Sequence, residues 1–215
     1  MELFGNFLQE QKLVGKCHFH HWPNKFNLAY LNNMPAYLEI VNKTLSLGTI
    51  FLQAVILMIL VTLILFRKRD NPLLLFFKKY TFLFGFLGAL GAFALSIFYS
   101  NFVGFPPCEL CWIQRIFLYP QLILFGMELY KRDRSIVDFS IVFAILGSIT
   151  SIYHIYVEAG GTRGLACADP SHGGVSCAVR YIYEFGYVTM PIMALTLSLF
   201  IIVLLVNYKY MARVK

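Results

Sequence analysis

The stretch TLSLGTIFLQAVILMILVTLILF, residues 44–66, contains no charged residue. About 20 consecutive apolar residues are enough to cross the hydrocarbon core of a bilayer as a helix. Three more uncharged runs follow at residues 80–108, 139–157 and 185–208, and a fifth run, 112–130, carries only Arg115 and Glu128 near its ends. These runs are continuous rather than alternating, so they predict membrane helices and not the strands of a barrel.

The overall composition supports the same conclusion. Hydrophobic residues make up 59% of the chain and charged residues 13%, whereas soluble proteins carry about 25% charged residues. We therefore predict an all-α integral membrane protein. Residues 71–215 are expected to form an antiparallel four-helix transmembrane bundle with short loops. Residues 44–70 are expected to add one N-terminal transmembrane helix with a basic cytoplasmic loop, and residues 1–43 an extracytoplasmic segment.

The basic residues predict the orientation in the membrane. Eleven of the 18 Lys and Arg residues fall in three segments that one topology places on the same side: Arg67, Lys68, Arg69, Lys78, Lys79, Lys131, Arg132, Arg134, Lys209, Arg213 and Lys215. By the positive-inside rule these segments are cytoplasmic, which leaves the N-terminus outside and the C-terminus inside. The net charge of +7 is then mainly a topology signal, and we expect no nucleic-acid partner.

All five cysteines are predicted to lie on the outer side, where disulfides persist: Cys17, Cys108, Cys111, Cys167 and Cys177. The segment PPCELCWIQR, residues 106–115, places Cys108 and Cys111 at the start of a predicted helix. This spacing brings the two sulfurs one turn apart, and the helix N-terminus favours a thiolate at Cys108. A structural disulfide or half of a zinc site is the alternative for this pair.

A second pair, Cys167 and Cys177, lies on a turn-rich loop that we expect to be mobile and aqueous. A ten-residue spacing is not typical of zinc ligands. Two dithiols on one oxidising face are what thiol–disulfide exchange requires, because electrons then pass through mixed disulfides. Two cysteine pairs at the surface of a bilayer therefore indicate a redox relay.

The electron acceptor of this relay is expected to be a lipid-soluble quinone, because the sequence has no nucleotide-binding or haem-attachment motif. Arg115 follows Cys111 by four residues, on the same helix face. Its charge could stabilise negative charge that develops on a quinone head group. The alternative role for Arg115 is to anchor the helix at the membrane interface.

Residues 74–206 resemble the DsbB and BdbC family of membrane disulfide-bond-formation proteins, which are quinone-linked oxidoreductases with a four-helix bundle. The resemblance is carried by Cys108-Glu109-Leu110-Cys111 with Arg115, by Tyr153-His154, and by Cys177 followed by RYIYEFGYVTMP. It implies a multi-pass protein of the bacterial cytoplasmic membrane with its active site on the extracytoplasmic face. It also implies two partners, a DsbA-like thioredoxin-fold oxidase and the membrane pool of ubiquinone or menaquinone.

The resemblance also assigns roles to individual residues. Cys108 and Cys111 would be the quinone-proximal pair, with Cys111 beside the quinone ring and Cys108 exchanging with the loop. Cys167 and Cys177 would form the disulfide that the soluble oxidase attacks at Cys167. Arg115 would lie near the quinone, and His154 would approach it, with an interhelical hydrogen bond as the alternative role for the histidine.

Residues 1–70 depart from the family pattern. If they are an accessory, deleting them should leave the oxidase activity largely intact. The segment KCHFHHW, residues 16–22, brings Cys17, His18, His20 and His21 together, but adjacent ligands rarely complete a tetrahedral metal site. We therefore expect no metal there, and Cys17 is then the odd cysteine.

Two other function classes are compatible with the sequence. Vitamin K epoxide reductase-like proteins also combine a helix-borne Cys-x-x-Cys with a loop pair, but in those proteins the loop pair comes first in the chain. The remaining alternative is a metal-binding or scaffold membrane protein with structural disulfides.

Overall fold

Five helices, each long and apolar enough to cross a membrane, make up the fold in the computed structural model. The structure describes residues 36–65, 71–131, 136–162, 167 and 175–213. In chain order the helices are α1 (Ala36–Leu65), α2 (Pro72–Ile97), α3 (Glu109–Lys131), α4 (Ile136–Glu158) and α5 (Met190–Arg213). Within the described part of the chain the only extended pairing is an isolated bridge between Glu184 and Val188. The prediction of an all-α membrane protein with one extra helix is confirmed.

Helices α2 to α5 pack as an antiparallel bundle, and α1 packs mainly against α5. The core between them consists of apolar side chains such as Phe77, Phe125, Phe200 and Leu204. Many large apolar side chains on the outer faces are exposed, as expected where the surrounding solvent is lipid. Both the apolar core and the apolar outer surface are therefore typical of a helix bundle in a membrane.

Several predicted helix boundaries are wrong. The charge-free run 80–108 does not give the bounds of the second span, because α2 starts at Pro72, behind the N-cap Asn71, and continues into a π-helix that ends at Phe102. Helix α5 starts at Met190 and not near residue 185, because Phe185 and Gly186 both have positive φ angles, which end helical geometry. A charge-free run indicates which part of a helix lies within the hydrocarbon core of the membrane, whereas capping residues decide where the helix begins.

The end of the bundle that lacks the cysteines carries basic side chains. Lys78 donates to the carbonyl oxygen of Met211 at 3.0 Å, and Lys209 forms an ion pair with Asp138. Long side chains at a membrane interface reach polar partners in this way. These contacts explain why α2 includes Lys78 although the apolar run starts after it.

Two of the small residues in α2 allow close approach between helices. A Cβ atom on Gly85 would lie 2.6 Å from the ring of Phe125, and one on Gly88 would lie 2.8 Å from Leu197. Gly91 has no neighbour within 4 Å of the same position. Small residues therefore serve packing at Gly85 and Gly88, as membrane helix interfaces commonly require, but not at Gly91.

We predict that Gly85→Ala destabilises the bundle, because Phe125 is buried and its ring would have to move. The expected loss is about 1–3 kcal/mol, the usual cost of overpacking a core. Thermal unfolding of the protein in detergent measures it. Gly91→Ala is the matched control, since it makes the same change in α2 without a steric neighbour. Equal melting temperatures for the two variants would contradict this account of Gly85.

Candidate redox site

The Cys-x-x-Cys pair lies where α3 begins. Cys108 directly precedes the first helical residue, and its sulfur accepts a hydrogen bond from the backbone N–H of Cys111 at 3.3 Å. The two sulfurs are 2.8 Å apart. Cys108 thus occupies the capping position of the helix, which fixes the two sulfurs side by side as the sequence predicted.

The proton affinity of Cys108 differs from the sequence-based expectation. The hydrogen bond with Cys111 and, after it, burial raise the pKa of the Cys108 thiol. The backbone N–H groups at the helix start lower it by less. These effects oppose the thiolate that the helix N-terminus was expected to favour at Cys108, and the pKa of this thiol is raised above its ordinary value.

The loop pair forms a disulfide between Cys167 and Cys177, with a Cα–Cα distance of 6.1 Å. Cys167 is only 8% exposed and Cys177 only 1% exposed. Both belong to one buried cluster with Cys108, Leu110 and Val157. The expectation of an aqueous disulfide is wrong here, because the apolar surface at the ends of α3 and α4 covers the two sulfurs.

His154, in the last turns of α4, lies between the two cysteine pairs. Its Nε2 atom is 3.7 Å from the sulfur of Cys108 and 3.2 Å from the carbonyl oxygen of Cys177. The side chain is buried, and Nδ1 has no hydrogen-bond partner among the described residues. The most economical tautomer carries the proton on Nε2, which then donates to the Cys177 carbonyl.

Arg115 lies one turn beyond Cys111 on α3 and turns toward α2. Its Nη2 atom donates to the hydroxyl of Ser100 and, at 3.3 Å, to the carbonyl oxygen of Ser96. The guanidinium also lies over the ring of Trp112, 4.9 Å from its centroid. Within the described residues these hydrogen bonds use Nη2 alone, so Nε and Nη1 can still donate to an acceptor oxygen.

The pair and the histidine also have the composition of a partial metal site. Ligand atoms of Cys108, Cys111 and His154 lie within 4.8 Å of one another. Zinc holds sulfurs at about 2.3 Å, which sets them about 3.8 Å apart in a tetrahedron. The observed separation of 2.8 Å is shorter by about 1 Å, so the pair is arranged for a bond between sulfurs better than for a shared metal. Cys17 and the histidines beside it lie outside the described residues.

A small cavity adjoins the pair and brings in residues to which the sequence assigned no role of their own. Glu158, Tyr181 and Pro191 line it together with Cys108, Cys111 and His154. Burial raises the pKa of Tyr181, whose hydroxyl donates to the carbonyl oxygen of Pro106 at 3.2 Å. Arg180 donates to the carbonyl oxygen of Glu158 at 2.6 Å. The only sequence signal that places Glu158 in this cavity is its position one turn after His154 on α4.

Comparison with known proteins matches this part of the chain to one family. The family model described as "Disulfide bond formation protein DsbB" matches residues 78–208. The chain is 32% identical over 128 residues to "Probable disulfide formation protein C 2" of Bacillus anthracis, covering 60% of this chain and 89% of that protein. It is 36% identical over 115 residues to "Disulfide bond formation protein C" of Bacillus subtilis, covering 54% and 82%. No solved structure matches the chain.

Proposed function

Because the chain belongs to the DsbB family of disulfide bond formation proteins, we propose that this membrane thiol oxidoreductase reoxidises a soluble thioredoxin-fold dithiol oxidase and passes the electrons to a membrane quinone. The observation that supports this most directly is the shared buried cluster of Cys108, Cys167 and Cys177. His154 contacts both pairs within it. Two dithiols this close can exchange without further carriers.

We place the protein in the bacterial cytoplasmic membrane with the cysteines on the extracytoplasmic face. Both cysteine pairs lie at the end of the bundle where α2 and α4 finish and α3 and α5 begin. Lys78, Lys79, Lys131 and Lys209, the basic residues of that count whose side chains the structure describes, lie at the opposite end. The positive-inside rule assigns that opposite end to the cytoplasm, and residues 71–215 form the oxidoreductase unit in this proposal.

In the first exchange a thiolate of the soluble oxidase attacks Cys167 and forms a mixed disulfide, which releases Cys177 as a thiolate. The second thiol of the oxidase then attacks its own sulfur in that bond and releases Cys167. The oxidase leaves as a disulfide, and the loop pair has gained its two electrons and two protons. Cys167 is the more exposed of the two loop cysteines, which supports attack at that position.

In the second exchange Cys177 attacks Cys108 of an oxidised Cys108–Cys111 pair and releases Cys111. Cys167 then attacks Cys177, which restores the loop disulfide and releases Cys108 as a thiolate that takes up a proton. The contact of His154 with the Cys108 sulfur and the Cys177 carbonyl supports this pairing of sulfurs. The raised pKa of the Cys108 thiol favours protonation of this sulfur once it has been released.

A quinone, when bound, supplies the acceptor for two electrons and two protons. Arg115 fits a role beside it, because its guanidinium is half-buried, pinned through Nη2, and has N–H donors left for an acceptor oxygen. A fixed positive charge in a low-dielectric setting stabilises negative charge that develops nearby. Cys111, one turn away on α3, would face this charge, and Trp112 holds the guanidinium plane.

The proposed function is tested by mixing purified protein in detergent with a reduced DsbA-like oxidase and either ubiquinone or menaquinone. We expect the quinone absorbance to bleach only when protein and reduced oxidase are both present. A metal-binding protein would leave the quinone unchanged, and the reduced protein would instead retain Zn²⁺ through Cys108, Cys111 and His154 after dialysis. That second outcome would overturn the redox proposal.

We predict that Arg115→Ala slows quinone reduction about a hundredfold, since removing one preorganised charge or donor costs about 3 kcal/mol. Stopped-flow absorbance of the pre-reduced protein with quinone measures this half-reaction. Disulfide exchange between Cys167–Cys177 and the soluble oxidase should be unchanged. Arg115→Lys should restore only part of the rate, because a lysine ammonium lacks the planar array of N–H donors of a guanidinium. Equal losses in both half-reactions would show that Arg115 is only a structural anchor.

The order of exchange can be tested in a background that lacks Cys108 and Cys111. A DsbA-like oxidase with a single cysteine is loaded with 5-thio-2-nitrobenzoate, so that an attacking loop thiol releases the yellow anion. We expect Cys177→Ala, which leaves Cys167, to form the covalent complex at least about tenfold faster than Cys167→Ala, because accessibility limits the rate of exchange. Equal rates, or a faster reaction of Cys177, would refute attack at Cys167.

A further inference from the structure

Helix α1 lies outside the residues that the family model matches, yet it docks on the bundle through polar side chains. Asn42, Ser46 and Thr49 are all buried on one face of this helix. Thr49 donates to the carbonyl oxygen of Leu45 within α1 itself, and among the described residues the side-chain hydrogen bonds from α1 to the rest of the protein come from Asn42 and Gln53. Polar groups buried within a membrane are costly unless they are paired, and they commonly join helices by hydrogen bonds. Helix α1 therefore makes specific polar contacts with the bundle in addition to apolar packing.

The best-defined of these contacts joins Asn42 to Tyr99. The hydroxyl of Tyr99 donates to Oδ1 of Asn42 at 2.5 Å, and both side chains are buried. Tyr99 belongs to the π-helix Phe98–Phe102 at the outer end of α2. Single π-helical turns inside longer helices often mark functional sites, because they redirect side chains and carbonyl groups.

The π-helix is the element that holds Arg115. Ser100 is the residue next to Tyr99, and its hydroxyl accepts from the Arg115 guanidinium. The same hydroxyl donates to the carbonyl oxygen of Ser96 at 2.6 Å, and that carbonyl is the second acceptor of Arg115. Fixing Tyr99 from outside the bundle therefore fixes the neighbouring group that orients the arginine.

Tyr99 is also connected to the cysteine end of the site by stacked rings. Its ring stacks on Phe105 at 5.9 Å, and Phe105 stacks on Tyr181 at 4.6 Å. The hydroxyl of Tyr181 donates to the carbonyl oxygen of Pro106, two residues before Cys108. Rigid aromatic contacts of this kind restrict how far the segment before Cys108 can move.

We propose that Asn42 is a positioning residue for the redox site, so that α1 is a working part of the oxidoreductase and not an accessory. Through Tyr99 it fixes the π-helix that holds Arg115 and the segment that leads to Cys108. This inference rests on the proposed function for its meaning in catalysis, but its geometric content can be tested separately. It also reverses the expectation that residues 1–70 are dispensable.

A matched control exists on the same helix. Gln53 donates from Nε2 to Thr196 at 3.1 Å and accepts from the hydroxyl of Tyr187 at 2.8 Å. These contacts tie α1 to α5 and to the loop before it, and neither involves the π-helix. A purely structural role of α1 would make Asn42 and Gln53 equivalent, whereas a positioning role separates them.

The experiment compares Asn42→Leu, Tyr99→Phe, their combination and Gln53→Leu with the unchanged protein. We expect Asn42→Leu to lower kcat/KM for quinone reduction about tenfold, the scale of one lost buried hydrogen bond, and Gln53→Leu to change it less than about twofold. Tyr99→Phe should have a similar effect, and the double variant should lose little more, as coupled residues do. Equal effects of Asn42→Leu and Gln53→Leu would overturn the proposal.

A second measurement does not depend on the quinone. Cys108 is only 3% exposed, so maleimide should label it slowly in the reduced protein. We expect Asn42→Leu to speed this labelling several-fold while Gln53→Leu does not. Unchanged labelling would overturn the positioning role.

Failure of the proposed function can be told apart from failure of this inference. If the protein without substitutions reduced no quinone, the proposed function would be refuted, but faster labelling in Asn42→Leu would still support the geometric inference. If Asn42→Leu does not fold, Tyr99→Phe, which keeps the ring, carries both measurements.

Discussion

The contact of His154 with Cys108 and Cys177 is the interaction on which the arrangement of the site depends. It is made in a buried region, where a hydrogen bond to a backbone carbonyl costs more to lose than at the surface. Nε2 of His154 is shared by a sulfur of the helix-borne pair and by the peptide group of a loop cysteine. A residue that belongs rigidly to α4 thereby fixes the loop pair relative to the start of α3, and the buried apolar cluster around Leu110 and Val157 closes over both.

The membrane fold was predictable because the bilayer imposes a simple rule on the sequence. A long, continuous run without charge is expected to be a helix there, so the number of spans followed directly. The helix ends did not follow from this rule. Lys78 lies inside α2 because a lysine near the interface reaches a carbonyl at the end of α5, and α5 starts late because Phe185 and Gly186 adopt positive φ angles. The first effect depends on a contact with another helix and the second on the local backbone conformation, and hydropathy reports neither.

The site was predictable in its composition but not in its environment. Two cysteine pairs, Arg115 and His154 could be named from spacing and resemblance, since their chemistry is local. The burial of Cys167 and Cys177 depends on their packing with Leu110 and Val157 at two helix ends, and the link from Asn42 to Tyr99 joins residues 57 apart in the chain. Neither follows from a periodic pattern. The raised pKa of Cys108 likewise results from the hydrogen bond with Cys111 and from burial, which outweigh the effect of the helix N-terminus.

The two roles considered for Arg115 differ in what they require of its side chain. An arginine that only anchors a helix extends toward water and needs no defined geometry. Electrostatic stabilisation requires a charge that is already oriented before the reaction, because reorientation during the reaction would consume the gain. Arg115 is half-buried, donates to Ser96 and Ser100, and lies on the ring of Trp112. Its two acceptors come from the π-helical end of α2, and that end is itself fixed by contacts from outside the four-helix unit. The geometry therefore favours a preorganised charge, and the orientation of that charge depends on a helix that the matched family residues do not include.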